Sequence, residues 1–183
     1  MSSSHVSSTN PLSSPIYIRA ITPVDASQIA QWRYPPPYEI YSLSPEDAES
    51  LMRPEFQYYA ALDDEGALLG YFCYGDDARI PAAFEQGLYA DGSLTDLGLG
   101  MRPDRTGRGL GTAFLSAGLT FGERLFGAKG FRLTVAAWNV RAVRLYEKCG
   151  FSAADAFTIP AGGVSFLVMT RSTPRTGQAQ SPR

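Results

Sequence analysis

Three glycines at alternate positions, Gly107, Gly109 and Gly111, stand between a short apolar run and a long stretch with helical apolar spacing. Lacking Cβ atoms, such positions let the backbone curl until successive N–H groups point at one spot. A helix that starts there adds its unpaired donors and the positive end of its dipole. Arg102, Arg105 and Arg108 add three cations. Together these features make a site for a pyrophosphate. Two common phosphate loops do not fit. The pattern GxxxxGK(S/T) needs a lysine, and this loop has none. The dinucleotide fingerprint GxGxxG would need its last glycine one residue later, and an acidic residue ending the next strand, which 131–138 lacks.

The rest of the inventory narrows the chemistry. The one histidine, His5, lies in a polar head, so a Ser-His-Asp triad, a His-paired cysteine and an HExxH zinc site are excluded. Cys73 and Cys149 are too few for a disulfide framework or a cysteine-cluster zinc site. Catalysis would have to use carboxylates, tyrosines, arginines and backbone amides. Asp96 lies on the run leading into the glycine loop. On a strand's alternation it shares a face with Gly98 and Gly100, away from Leu97, Leu99 and Met101. Two glycines on that face would leave room for a ligand; a carboxylate capping the turn after Ser93 is the plainer reading. Tyr34, Tyr38 and Tyr41 surround Pro35, Pro36 and Pro37. This stiff segment is either a packed connection or an aromatic lip that attracts cations.

Those residues need elements to hold them. The chain has 183 residues, 44% hydrophobic and 19% charged, with a formal charge of -2. Setting aside polar segments at 1–15 and 172–183, expected to be disordered, leaves one domain over 16–171 that can bury roughly two-thirds of its unfolded surface. A strand at 16–21 gives way to a helix from Thr22-Pro23 to about Arg33, and a short helix runs from Ser44 to about Met52. Residues 57–62 and 67–74 read as a hairpin. The stretch 75–93 reads as a long loop, a lip over a site. Strand 94–101, the glycine loop, helix 110–126, strand 131–137 and a helix from Val140 stopped by Gly150 follow. A hairpin of 151–159 and 164–170 closes the chain. In the long helix Leu110, Ala113, Phe114, Ala117, Phe121 and Leu125 mark the expected apolar face. The order predicts an α+β fold, a mixed sheet with helices on its faces.

Thr106-Gly107-Arg108-Gly109-Leu110-Gly111 resembles the acetyl-CoA loop of the GNAT superfamily of N-acetyltransferases, usually written (Q/R)xxGxG/A. It departs at Thr106, where Gln or Arg is usual, with Arg105 one place early. A second stretch, from Trp138-Asn139 through Ala142 and Tyr146 to Gly150-Phe151, looks like the family's NxxAxxxYxxxGF segment. The resemblance covers about 16–171. It implies a mostly antiparallel central sheet with helices on both faces, acetyl-CoA as co-substrate, and no metal. Thr106, Gly107, Arg108, Gly109, Leu110, Gly111 and Thr112 would hold the cofactor. Backbone groups of Leu99 and Met101 and the amide of Asn139, which could equally just cap its helix, would hold the pantetheine arm. Tyr146, otherwise a core tyrosine, would be the proton donor to the departing sulfur. Asp96 would be the base, with Glu85 and Asp91 as weaker alternatives.

Tyr34, Tyr38, Tyr41 and Asp91 would meet the acceptor, an amine on a small molecule or a protein. A non-catalytic acyl-CoA-binding sensor is the alternative. The charge balance gives no nucleic-acid partner. No run is long enough for a membrane span, and the head lacks the features of a signal or transit peptide, so a cytoplasmic location is expected. A homodimer is left open.

Overall fold

The computed structural model describes residues 15–160 and 162–172, so the polar segments expected at 1–15 and 172–183 lie outside it but for Pro15 and Ser172. One seven-stranded sheet runs in the order β1-β2-β3-β4-β5-β7-β6. Its strands are β1 (Tyr17–Ala20), β2 (Tyr58–Leu62), β3 (Leu68–Tyr74), β4 (Thr95–Met101), β5 (Gly130–Ala136), β6 (Ser152–Thr158) and β7 (Ser165–Ser172). Every neighbouring pair is antiparallel except β4 and β5. The helices are α1 (Pro23–Ala30), α2 (Asp47–Leu51), α3 (Pro81–Glu85), α4 (Gly111–Phe126) and α5 (Val140–Lys148). The expected fold class is the one observed.

Local chemistry sets most boundaries. At α1, Thr22 and Asp25 form a reciprocal capping box, the Asp25 carboxylate accepting from the Thr22 amide at 2.8 Å. Asn139 caps α5 by accepting from the Ala142 amide at 3.2 Å. The stretch 75–93 is not all loop. Pro81 supplies the first-turn φ of α3, and Ala83 on that helix is fully buried.

The main core lies between α4, α5 and one face of the sheet, where Phe72, Leu97, Phe114, Leu115, Phe131 and Met169 are almost inaccessible. The face of α4 differs from the expected one. Ala113 is exposed and Leu125 is 51% exposed, while Phe114, Leu115, Gly118, Leu119 and Gly122 are buried. The helix packs on its glycines because a Cβ at Gly118 would stand 2.4 Å from the Phe72 ring. On the other face, α1 and α2 cover Ala60 and Leu68, and α3 with Tyr89 covers Ala136 and Val168.

The parallel junction governs the site. β4 and β5 pair only at Thr95 with Phe131 and Asp96 with Arg132, and beyond that the strands part. At this last rung the Arg132 guanidinium grips Asp96 through Nε at 2.6 Å and Nη2 at 2.9 Å. Arg79, just before α3, reaches the same carboxylate at 2.6 Å. Asp96 and Arg132 are each only 2% exposed. Arg132 also donates to the Tyr89 and Asp91 carbonyls at 3.3 Å, and both guanidiniums lie near the Tyr89 ring.

Removing one partner from a buried ionic cluster leaves the remaining charge poorly compensated, here Asp96 with Arg79 alone. Arg132→Met is therefore expected to lower unfolding free energy by about 3–5 kcal/mol. Arg19→Met breaks the Arg19–Asp25 pair, whose arginine side chain is 43% exposed, and is expected to cost about 1 kcal/mol or less. Denaturant melts of both variants check this, and equal losses would remove the special status of the buried knot.

Candidate active site

Beyond Asp96, β4 has a free edge. Gly75 donates to the Asp96 carbonyl at 3.0 Å and Arg102 to the Leu69 carbonyl at 2.9 Å. In an antiparallel ladder these bonds assign the even-numbered residues of β4 to β3. Leu97, Leu99 and Met101 therefore turn their N–H and C=O groups to the side where β5 has diverged. One end of this edge is already used, since the Tyr34 hydroxyl donates to the Met101 carbonyl at 2.7 Å. The Leu99 groups and the Met101 amide stay available to an extended ligand with amides of its own.

The edge runs into the glycine loop. Gly107 and Gly109 have φ of +74° and +79°, the left-handed region that favours glycine. From Gly107 to Ala113 no amide donates to another described residue, whereas the Phe114 amide returns to the Leu110 carbonyl at 2.9 Å. No side chain caps α4 at Leu110. Seven consecutive residues thus present unclaimed donors at a helix start.

The cations there differ in availability. Arg102 is held by Asp104 and the Leu68 carbonyl, and Arg105 faces Asp63 at 3.6 Å. Arg108 is exposed and pairs with no described carboxylate. Arg141 was not singled out by the sequence, yet its Nη1 lies 3.8 Å from where a Gly107 Cβ would stand. Its position two residues after Asn139, at the start of α5, was the signal available. The Thr106 hydroxyl donates to the Pro103 carbonyl at 2.8 Å. Thr112, half-buried in the first turn of α4, lines a groove with Ser116 and Lys148.

Tyrosines fill the other side of the opening. The Tyr41 hydroxyl accepts from Asn139 Nδ2 at 3.2 Å, so both ends of the Asn139 amide are engaged by the protein. Tyr41 stands edge-on to Tyr34 and beside Trp138. Tyr38 packs on Trp138 with the Arg141 guanidinium 4.9 Å above its ring. The Tyr146 ring is buried against Phe151, and burial raises the phenol's pKa above its ordinary value, with a smaller push from nearby Tyr41. Its hydroxyl bonds to no described residue. Because no fully buried polar side-chain atom is left unpaired among the described residues, this hydroxyl must keep access to solvent or ligand.

The carboxylates correct the sequence reading. Both oxygens of Asp96 are taken by arginines and sealed from solvent, so it is not a free base beside the opening. The room expected over Gly98 and Gly100 is occupied: added Cβ atoms would stand 2.4 Å from Cys73 Sγ and 2.4 Å from the Tyr71 ring. Asp91 is not among the tyrosines either. It accepts from the Ser93 amide and hydroxyl, which hold its carboxyl below the usual range, and it lines a separate cleft of about 410 Å³ with Lys129, Arg132 and Thr170. Glu85 is exposed at the end of α3. Burial pushes the Cys73 thiol up to about 12, unsuited to a nucleophile. Among the described residues, no group of three or more His, Cys, Asp or Glu could hold a metal, and no helix is long and apolar enough to cross a membrane.

Solved structures share this architecture. A chimera of spermidine N-acetyltransferase SpeG from Vibrio cholerae with hSSAT is 19% identical with a TM-score of 0.62, covering 86% of this chain and 95% of that one. AAC(6')-Ib in complex with ribostamycin and coenzyme A is 17% identical with a TM-score of 0.66, covering 92% and 99%. An acetyltransferase (GNAT family) from Bacillus anthracis is 15% identical with a TM-score of 0.61, covering 86% and 94%. None of the curated proteins matches significantly. Residues 25–151 match the acetyltransferase (GNAT) family. With the parted β4–β5 junction, the unclaimed cradle and that match, the chain belongs to the GNAT family of acetyl-CoA-dependent N-acetyltransferases.

Proposed function

We propose that this protein transfers the acetyl group of acetyl-CoA directly to a primary amine. The observation that carries the reading is the continuity of the free β4 edge at Leu99 and Met101 with the seven unclaimed amides of 107–113. The amides of the cradle, with Arg108 and Arg141, would take the pyrophosphate. The edge would pair with the pantetheine amides and bring the thioester toward Tyr146.

Attack by the amine nitrogen on the thioester carbonyl would form the C–N bond and break the C–S bond; Tyr146 would donate its proton to the departing sulfur and recover one, through water, from the attacking nitrogen. Burial keeps the phenol protonated at neutral pH, the state an acid must start from. A free alkylamine has a pKa near about 10.4 and must lose a proton first. With Asp96 closed off, that proton leaves through water, and Asp96 acts by positioning β4. The similar structures named for spermidine and bound to ribostamycin support an amine acceptor, and the one bound to coenzyme A supports the co-substrate. A cytoplasmic location remains part of this reading.

Calorimetry is expected to show acetyl-CoA binding that persists in EDTA. Gly109→Glu sets a side chain on a left-handed backbone position and an anion in the cradle, so it should abolish binding while a melting curve confirms folding. Unchanged affinity would contradict the cradle. A thiol-release screen across polyamines, aminoglycosides and peptide amines should identify an acceptor. With that acceptor, Tyr146→Phe is expected to keep acetyl-CoA affinity within a few fold and lower turnover by about 10²–10⁴. Full turnover would return Tyr146 to a packing role and leave the acyl-CoA sensor as the better reading.

A further inference from the structure

The face of the sheet covered by α1 and α2 carries a second group of aromatic residues that the sequence did not single out. The Trp32 and Tyr71 rings are stacked with centroids 6.1 Å apart, and Tyr58 lies 5.8 Å from Tyr71. All three are half-buried. The Tyr71 hydroxyl sits over β4, 2.8 Å from where a Gly100 Cβ would stand, between the two residues whose backbones form the free edge. Asp77, exposed on the turn Asp76–Ala78, receives a hydrogen bond from the Tyr58 hydroxyl and has no ion-pair partner among the described residues. Burial, with smaller contributions from nearby Tyr34, Asp77 and Tyr146, raises the Tyr71 phenol above its ordinary pKa.

Three other aromatic residues already hold a cation. Tyr38 already carries the Arg141 guanidinium, Tyr89 carries Arg79 and Arg132, and Phe56 carries Arg53. An incoming ammonium would meet a resident cation at each. The faces of Trp32, Tyr58 and Tyr71 carry no arginine or lysine among the described residues, and they come with a carboxylate whose second oxygen is uncommitted. Aromatic faces attract cations, and more strongly where solvent is partly excluded.

We propose that Trp32, Tyr58 and Tyr71, with the carboxylate of Asp77, form the site that receives the ammonium group of the acceptor. The acceptor class is then a cationic primary amine on an apolar stem, with the stem against the rings and the charge at Asp77. The expected lip of Tyr34, Tyr38 and Tyr41 instead supports the Met101 carbonyl, Arg141 and Asn139. This inference rests on the acetyltransferase reading and adds the acceptor's place and charge to it.

The test uses the full chain saturated with coenzyme A, with 1,4-diaminobutane as probe and 1-butanol as its uncharged counterpart. Saturation-transfer NMR with titration reports probe binding, and calorimetry of coenzyme A is run on every variant. The parent should bind the diamine saturably and not the alcohol. Asp77→Asn should weaken the diamine at least fivefold, Trp32→Leu similarly, and Tyr38→Leu less than twofold, with coenzyme A affinity unchanged in Asp77→Asn and Trp32→Leu. Equal diamine affinity in the parent and Asp77→Asn, no saturable binding by the parent, or loss confined to Tyr38→Leu would each overturn the proposal. Failure of the parent to bind coenzyme A would instead defeat the acetyltransferase reading beneath it. Should Asp77→Asn fail to fold, Asp77→Glu and Tyr58→Phe carry the same comparison, the first expected to retain binding.

Discussion

Everything distinctive about this chain begins at the carboxylate of Asp96. Two charges removed from water cost several kcal/mol each unless geometry and further hydrogen bonds compensate. Here the compensation is extensive. Arg132 meets Asp96 with two nitrogens, Arg79 adds a third contact, and Arg132 makes two further bonds to backbone carbonyls. Such a knot contributes position more than stability, because its partners fit only one way. It joins β4, β5 and the segment before α3 at the last rung where the two parallel strands touch. Moving that rung toward Met101 would close the free edge, and moving it toward Thr95 would part the sheet too early.

The features beyond the knot follow from that geometry. Once β5 diverges, Leu97, Leu99 and Met101 have backbone groups without a strand to satisfy them, a state tolerated where a ligand or solvent can reach. α4 packs against the main face through Gly118 and Gly122, and the same strand that supplies the edge leads directly to its uncapped start. Tyr34, Tyr41 and Tyr146 bring polar tips to the same end of the sheet, beside Asn139 and Trp138. Burial holds the Tyr34 and Tyr146 phenols above their ordinary pKa, so they enter as donors.

What the sequence revealed was local. The capping box at Thr22, the alternating glycines, the Asn139 cap and the Tyr146 helix each depend on spacings of a few residues, and the structure places all of them as the spacing predicts. What it hid depended on partners far along the chain. Asp96 alternates correctly, but nothing near it indicates that Arg132, 36 residues on, and Arg79, 17 residues before, would occupy both oxygens. The alternation of Gly98 and Gly100 suggests room for a ligand, but that room belongs to Cys73 and Tyr71 of the neighbouring strand. The face of α4 differs from the periodic one because apolar periodicity counts Leu125 and Ala113 and gives glycine no weight, whereas close packing favours Gly118 and Gly122.

The central claim is that the edge of β4 and the amides of 107–113 stand open in the free protein and are filled by one extended ligand. Residue-resolved hydrogen exchange with and without coenzyme A tests it directly. The amides of Leu99, Met101 and residues 107–113 should exchange freely in the apo protein and slow together on binding. Those of Gly98 and Gly100, already paired to β3, should be protected in both states. Protection of 107–113 without Leu99 and Met101, or of none of these amides, would contradict the account.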